Sequence, residues 1–323
     1  MCALYGIHDY NDCFNSKQKN IILTVLSIKS ETRGIDATGI SYVKDNRLQV
    51  YKRPLPAHKM RYNLPPKVKV VMGHTRMTTQ GNEINNYNNH PFFGRVKDNT
   101  FALAHNGILH GEKELRQSMH LPKTKVETDT YIAVQIIENE NIVSFDSLRK
   151  VAETVRGSFV FTVLDKHNNL YFVRGDNPLC VYHFPKNGFY LYASTEEILQ
   201  KSIICLGINK LHYHRVPIET GDILRIDSTG DIDKSKFEHV EYYSRWYGYY
   251  PQYEFDCEWT VEPHGKNTDE YKHYLLILKQ TARLYGYTND DIDALIADGW
   301  TLDEIENFLY ESEDDVMFAQ VAR

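Results

Sequence analysis

A chain of 323 residues with a formal net charge of −6 is long enough for one large domain and a second, smaller one. The negative charge argues against a nucleic-acid partner, and the sequence has neither a signal-peptide pattern nor an apolar run of about 18 residues that would span a membrane. Five widely spaced cysteines without a CxxC pair argue against a disulfide framework or a zinc site and favour a reducing, cytoplasmic compartment.

Residues 3–226 are predicted to be rich in strands, because short runs of β-branched and aromatic residues alternate with turn residues. The order of elements is not the regular strand–helix alternation of a doubly wound fold. The predicted strands are 3–7, 39–43, 48–51, 68–72, 100–104, 158–164, 170–173, 179–182, 189–192, 213–217 and 222–226. The predicted helices are 17–29, 128–138, 144–156 and 194–201, and residues 77–89 form a long polar loop.

The remaining residues predict a separate C-terminal region. We expect a large domain at residues 1–235, a Tyr-rich connector at 236–265 and a small helical domain at 266–323. Helices are expected at 269–284, 289–298 and 301–311, and the second has Thr288 as its N-cap and Gly299 as its C-terminal stop. Residues 288–315 contain eleven acidic residues and no Lys or Arg, so the helical domain is strongly acidic.

Cys2 is the first candidate for chemistry. If an aminopeptidase removes Met1, Cys2 carries both a thiol and a free α-amine. Such an amine has a pKa near about 8, so it can accept a proton close to neutral pH. The backbone would then hold a nucleophile and its base together. Considered alone, a cysteine at position 2 is more often an ordinary small residue.

Several further motifs occur in a defined order along the chain. The stretch from Gly73 to Gly81 reads GHTRMTTQG, and His105-Asn106-Gly107-Ile108 follows the next predicted strand. The others are Arg33-Gly34-x-Asp36-x-x-Gly39, His90-Pro91, Thr128-Asp129-Thr130, Gly157-Ser158-Phe159, Arg174-Gly175-Asp176-Asn177-Pro178-Leu179 and Ala193-Ser194-Thr195-Glu196.

Each of these residues also has a structural interpretation. Asn106-Gly107 is a common hairpin turn, and Asp129 in the first turn of a helix compensates the helix dipole. Arg76 in a loop is usually solvated, and Arg33 can bridge structural carbonyl groups. His74, His90 and His105 lack the spacing of ligands on one helix face, so no metal site is expected.

The ordered set of motifs over residues 2–226 resembles the class II (Ntn-type) glutamine amidotransferase family, in particular the glutaminase domain of glucosamine-6-phosphate synthase. The resemblance implies an α+β fold, a four-layer αββα Ntn-hydrolase sandwich, which we expect to be followed by a small C-terminal all-α domain. It implies that glutamine is the substrate and that the reaction needs no cofactor.

The resemblance also assigns the catalytic roles. Cys2 would attack the side-chain amide of glutamine and form a thioester intermediate. The side chain of Asn106 and the backbone N–H of Gly107 would stabilise the oxyanion, which forms whenever a thiolate adds to a carboxamide and which needs fixed donors.

Substrate recognition is assigned to the loop and to the start of the next helix. Arg76 would bind the α-carboxylate, for which its planar guanidinium is suited, and Asp129 would bind the α-ammonium. Met77 and Thr79 would line the same site, and Arg33 would support it. Met77 stands where the family often has Trp, and Gln80 where it often has His.

The predicted function is hydrolysis of glutamine to glutamate and ammonia, with the ammonia passing to an acceptor or synthase protein on another chain. About 90 residues follow the large domain, too few for the synthase domains that the family usually carries. One alternative is a Cys-type Ntn amidohydrolase that acts on another amide, which the Arg76–Asp129 pair disfavours. Another is a catalytically silent glutamine-binding regulatory subunit, which the presence of Cys2 and Asn106 disfavours.

Overall fold

The computed structural model describes residues 2–239, 275, 278–279, 282, 287–300, 302 and 305. Contacts divide the chain into two compact units, Met1–Trp246 and Tyr247–Arg323. Most of the predicted connector and of the predicted helices 269–284 and 301–311 lies outside the described residues. The domain boundaries at 235 and 265 therefore stay predictions.

The first unit contains two antiparallel sheets. Its strands are β1 (Ala3–Asp9), β2 (Ala37–Lys44), β3 (Arg47–Arg53), β4 (Val70–Arg76), β5 (Phe92–Val96), β6 (Asn99–His110), β7 (Arg156–Asp165), β8 (Leu170–Arg174), β9 (Cys180–Phe184), β10 (Phe189–Ala193), β11 (His214–Arg215), β12 (Asp222–Ile226) and β13 (Ile232–Lys236). A seven-stranded sheet has the order β11-β9-β10-β1-β4-β2-β3, and a six-stranded sheet has the order β13-β12-β8-β7-β6-β5.

Helices cover these sheets. They are α1 (Ser16–Lys29), α2 (Glu112–Ser118), α3 (Tyr131–Glu140), α4 (Phe145–Thr154) and α5 (Glu196–Cys205), and α6 (Asn289–Ala297) belongs to the second unit. None of the helices described in the structure is long and apolar enough to cross a membrane.

Three apolar cores hold the first unit together. One lies between α3, α4 and the six-stranded sheet, and another lies between α1, α5 and the seven-stranded sheet. The third contains side chains from both sheets, such as Leu4 and Met72 from one and Val160 and Phe172 from the other. The two sheets and their helices confirm the coarser part of the predicted α+β fold, a mixture of helices and extensive antiparallel sheet.

Strand β1 shows why the N-terminal residues form a central strand. Every residue from Ala3 to Asp9 is buried, so the strand needs apolar residues on both faces. Tyr5 and Ile7 enter the core under the helices, whereas Leu4 enters the core between the sheets. This alternation follows from the opposite directions of successive side chains in a strand.

Two predicted strand ends are wrong. Strand β4 continues through Gly73–Thr75 to Arg76, because its pairing with β1 continues to Thr75 and its pairing with β2 continues to Arg76. Strand β6 does not stop at residue 104 but continues through His105 and Gly107 to His110, paired with β7 along its length. Strands β5 and β13 and helix α2 are short, and the sequence pattern did not predict them.

The sequence signals of α6 are confirmed. The Thr288 side chain accepts a hydrogen bond from the backbone N–H of Asp291, and the Asp291 side chain binds back to the Thr288 N–H, which forms a capping box. Gly299 follows the helix with φ of +97°, a left-handed conformation that glycine adopts without strain.

A buried ion pair fixes β1 relative to α1. Lys19 Nζ lies 2.9 Å from Asp9 Oδ2 and donates to the carbonyl of Val68 at 2.7 Å. Asp9 also accepts from the backbone N–H groups of Cys13 and Phe14. Burial raises the pKa of Asp9, but these hydrogen bonds outweigh it and the pKa is lowered. The ionised carboxylate therefore contributes stability that is lost as the pH falls through its pKa.

We predict that Lys19→Met lowers the free energy of unfolding by about 3–5 kcal/mol, because it leaves the Asp9 carboxylate buried without its cation. Lys17→Met, on the exposed side of the same helix, is the matched control and should change stability by less than about 0.5 kcal/mol. Urea denaturation at pH 7 measures both values. Equal losses for the two variants would contradict the importance of the ion pair.

Candidate active site

Cys2 lies directly before β1 and beside the end of β4. Ala3 pairs with Thr75, so Cys2 is adjacent to Arg76 and Met77. The thiol donates to the Met77 carbonyl at 3.5 Å, and the Met77 N–H approaches the sulfur at the same distance. Arg33 Nε donates to the Cys2 carbonyl oxygen at 3.0 Å.

The electrostatic surroundings of Cys2 keep its thiol protonated. Burial raises its pKa, and although the Met77 backbone and the positive charge of Arg76 act in the opposite direction, the net pKa is raised. The negative charge of Asp129 adds to the increase. A nucleophilic thiolate therefore requires a nearby base to remove the proton.

Asn106 and Gly107 lie within β6, so their interpretation as a hairpin turn is wrong. The Nδ2 atom of Asn106 is buried and has no hydrogen-bond partner among the described residues. The backbone carbonyl of Asn106 is held by Nδ2 of Asn177 at 2.8 Å. A buried amide donor without a partner is costly, and it is available to an acceptor that enters the site.

Glycine is the only residue type that fits position 107. Its φ is +147°, and a Cβ atom would lie 2.0 Å from the carbonyl oxygen of Ser158 and 2.7 Å from Nδ2 of Asn177. Any side chain would thus displace the paired strand and Asn177, which holds Asn106.

One hydrogen bond joins the two sheets close to these residues. His74 Nε2 of β4 lies 3.0 Å from the carbonyl oxygen of His105 in β6. Arg76 is two residues beyond His74, and Asn106 is the residue after His105. The contact therefore brings a strand that flanks Cys2 next to the strand that carries Asn106.

Arg76 is only 3% exposed, so its interpretation as a solvated loop residue is wrong. Its Nη1 donates to Asn89 Oδ1 at 2.6 Å, and its Nη2 donates to the carbonyl oxygens of Gln80 and Gly81 at 2.5 and 3.3 Å. The guanidinium is thereby fixed by the polar loop that follows it.

Asp129 lies before α3 rather than in its first turn, because the helix begins at Tyr131 after the N-cap Thr130. The interpretation as a first-turn residue is therefore wrong. The carboxylate accepts from the N–H of Leu109 at 2.6 Å and from the N–H of Thr130 at 2.7 Å. Asp129 thus holds the end of β6, three residues beyond Asn106.

The polar loop after β4 begins beside the thiol. Met77 is 49% exposed and Thr79 is also exposed, whereas the N–H of Thr78 is held by Asp36 Oδ2 at 2.6 Å. Gln80 Nε2 donates to Glu112 Oε1 at 3.2 Å, at the start of α2. Met77 is therefore placed beside Cys2, and the structure assigns no hydrogen bond to Thr79.

Three histidines are buried in the same region. The ring centroids of His74 and His90 are 4.1 Å apart, and His105 Nδ1 lies 2.8 Å from Thr130 Oγ1. Burial lowers the pKa of His74 to about 3 and also lowers the pKa of His90 and His105. All three are neutral near pH 7. Over the described part of the chain, no group of three His, Cys, Asp or Glu residues is placed to hold a metal ion.

Three residues that support the site were not predicted to do so. Asn89 binds Arg76, Asn177 binds the carbonyl of Asn106, and Asp36 binds the loop at Thr78. Asp36 and Asn177 lie in motifs that the sequence already contained, so motif membership was the available signal. Asn89 is one of several asparagines in a polar loop and had no local signal of its own.

Comparison with known proteins agrees with these motifs. Residues 74–201 match the model of a family described as a glutamine amidotransferase domain. Similar proteins include glutamine–fructose-6-phosphate aminotransferase (isomerizing) of Staphylococcus epidermidis, 28% identical over 245 residues, and the protein of the same name from Staphylococcus aureus, 28% identical over 242 residues. Each match covers 72% of this chain and 38% of the relative, so the chain spans less than half of their length.

Two solved structures have a similar fold. One is glutamine phosphoribosylpyrophosphate amidotransferase from B. subtilis complexed with ADP and GMP, with a TM-score of 0.57, and the other is the allosteric regulatory enzyme of purine biosynthesis, with a TM-score of 0.59. Each is 20% identical, and each match covers 73% of this chain and 49% of the other. At that identity the likeness shows the fold alone. The family match, the sequence relatives and the fold agree, and residues 74–201 are similar to a glutamine amidotransferase domain.

Proposed function

We propose that this protein hydrolyses the side-chain amide of glutamine with Cys2 as the nucleophile, in a four-layer αββα domain of the Ntn-hydrolase type. The observation that carries the proposal is the buried Asn106 Nδ2, a donor without a partner among the described residues. A donor of this kind, fixed in a strand that the His74–His105 hydrogen bond joins to β4, is suited to an oxyanion that exists only during the reaction.

Because burial raises the pKa of the Cys2 thiol, the first step of the proposed reaction is removal of the thiol proton by a base. The α-amine of a chain that starts at Cys2 takes the thiol proton, and the sulfur adds to the amide carbon. Asn106 Nδ2 and the Gly107 N–H donate to the oxyanion. The amine returns the proton to the leaving nitrogen, ammonia departs and a thioester remains. Water then adds to the thioester, and glutamate and the free thiol are released.

Arg76 and Asp129 would recognise the amino-acid end of glutamine. An arginine has five N–H donors, so the three hydrogen bonds that Arg76 makes to loop oxygens leave donors for an α-carboxylate. The Asp129 carboxylate accepts backbone hydrogen bonds on both oxygens and retains lone pairs for an α-ammonium. Met77 and Thr79 would contact the substrate from the loop.

We further propose that the ammonia passes to an acceptor or synthase protein on another chain, in the cytoplasm. The acidic helical region would form a separate small domain. Purification of the protein from its native cells, followed by identification of what co-purifies and by measurement of glutamine-dependent amination, tests this part independently of the hydrolysis.

The base in this mechanism predicts how activity depends on maturation and pH. A chain extended before Cys2 should be inactive until a protease exposes Cys2, because only a free α-amine can take the proton. After cleavage, kcat/KM for glutamine should rise with pH around a midpoint of about 8, where the amine becomes neutral. Intact mass and glutamate release measure both effects. Full activity of the extended chain would rule the mechanism out.

The oxyanion role predicts the effect of Asn106→Ala. The variant should lower kcat by roughly 10²–10³ and leave KM for glutamine little changed, because one donor to the transition state is lost. Cys2→Ala should abolish turnover but still bind glutamine. Asn11→Ala, at an exposed position two residues beyond the C-terminal end of β1, is the control and should retain full activity. Steady-state ammonia release gives kcat and KM, and an unchanged kcat for Asn106→Ala would contradict the role.

A further inference from the structure

Lys52, in the edge strand β3, reaches the polar loop that follows β4. Its Nζ donates to the backbone carbonyl oxygens of Asn89 and of Pro91, the latter at 3.1 Å. The same ammonium lies 5.0 Å from the centroid of the Phe92 ring. Lys52 thus holds the C-terminal end of the loop by three contacts.

The position is an unfavourable one for a cation. Burial and, to a smaller extent, the positive charge of Arg76 together lower the pKa of Lys52 to about 8, and no acidic group among the described residues contributes in the opposite direction. Lys52 is half-buried, and lysines are rarely taken out of water without a carboxylate partner. Two backbone carbonyls and a ring compensate this charge only in part, so stability alone does not account for Lys52.

Asn89 connects Lys52 to the candidate active site. Its backbone carbonyl accepts from Lys52, whereas its side-chain Oδ1 accepts from Arg76 Nη1 at 2.6 Å. Its Nδ2 donates to the carbonyl oxygen of Glu83 at 2.7 Å, which fixes the rotation of the amide group. Displacement of the Asn89 backbone would therefore displace the oxygen that orients the Arg76 guanidinium.

We propose that Lys52 is a positioning residue for glutamine recognition, which acts through Asn89 to hold the Arg76 guanidinium in the orientation that binds the α-carboxylate. This inference rests on the proposed function, because it assigns Lys52 to the same substrate site. Lys52 itself does not touch the substrate. Its effect is therefore confined to the part of the substrate that Arg76 binds.

The test compares glutamine with 4-aminobutanamide, the same amide without the α-carboxylate. We expect Lys52→Met to raise KM for glutamine about tenfold, with little change in kcat, because a charge-assisted hydrogen bond that orients Arg76 is lost. KM for 4-aminobutanamide should not change. Lys52→Arg should recover most of the affinity for glutamine. Lys44→Met, at an exposed position of the neighbouring strand β2, is the matched control and should behave as the wild type.

Asn89→Ala provides a second variant if Lys52→Met does not fold. It should produce the same selective rise in KM for glutamine, and the double variant should be no worse than the single ones, because both residues act through one contact. Equal rises in KM for the two substrates, or a loss confined to kcat, would overturn the proposal.

Failure of the proposed function gives a different result. If the wild-type protein releases ammonia from neither substrate, calorimetric binding of glutamine to the Cys2→Ala protein with and without Lys52→Met replaces the kinetic measurement. Weaker glutamine binding by the protein with both Cys2→Ala and Lys52→Met than by the protein with Cys2→Ala alone supports the role of Lys52 even then. Equal binding by the two proteins overturns it.

Discussion

The antiparallel register of β1 with β4 is the constraint on which the candidate site depends. Because Ala3 lies opposite Thr75, Cys2 is held beside Arg76 and Met77, and its sulfur meets the Met77 backbone. A slip of one residue would send the side chains of β1 to the opposite faces and remove the core contacts of Leu4 and Tyr5. The apolar cores on both faces of this strand therefore specify where Cys2 lies.

The second constraint is the junction between the sheets. The His74–His105 hydrogen bond crosses from β4 to β6, and Asp129 fixes β6 again at Leu109. Burial keeps the three histidines neutral, so their rings pack between the strands without an uncompensated charge. Asn106 lies between the His105 and Leu109 anchors, and its side chain is consequently set on rigid backbone rather than on a loop.

Much of the fold could be predicted from the sequence, because strands buried on both faces require continuous apolar runs, and β1, β7 and β10 contain them. The prediction failed where local and tertiary preferences conflict. Asn106-Gly107 has the local signature of a turn, yet pairing of β6 with β7 keeps it extended. Strand β5 is short and buries only alternate residues, so its hydrophobic pattern was too weak to predict a strand.

The site could be predicted in part for a related reason. Ordered motifs predict Cys2, Arg76, Asn106 and Asp129 as site residues, because the proposed chemistry requires those residue types. The residues that orient them are far away in the sequence: Asn177 is 71 positions from Asn106, and Lys52 is 37 positions from Asn89. A single hydrogen bond between distant residues leaves no periodic pattern in one sequence, so only the folded chain reveals it.

The buried Asn106 Nδ2, which has no hydrogen-bond partner among the residues that the structure describes, gives the physical reason to connect these contacts with the proposed catalysis. A buried amide donor without an acceptor costs about 1–3 kcal/mol, and an apolar side chain at position 106 would avoid that cost. The cost is offset if the donor meets its acceptor only in the transition state, because a group that binds the ground state equally well would not raise kcat. Asn106 Nδ2 lies on a rigid strand and is unpaired within the described part of the chain, which fits that requirement. A donor already paired within the protein would have to break a hydrogen bond during every turnover.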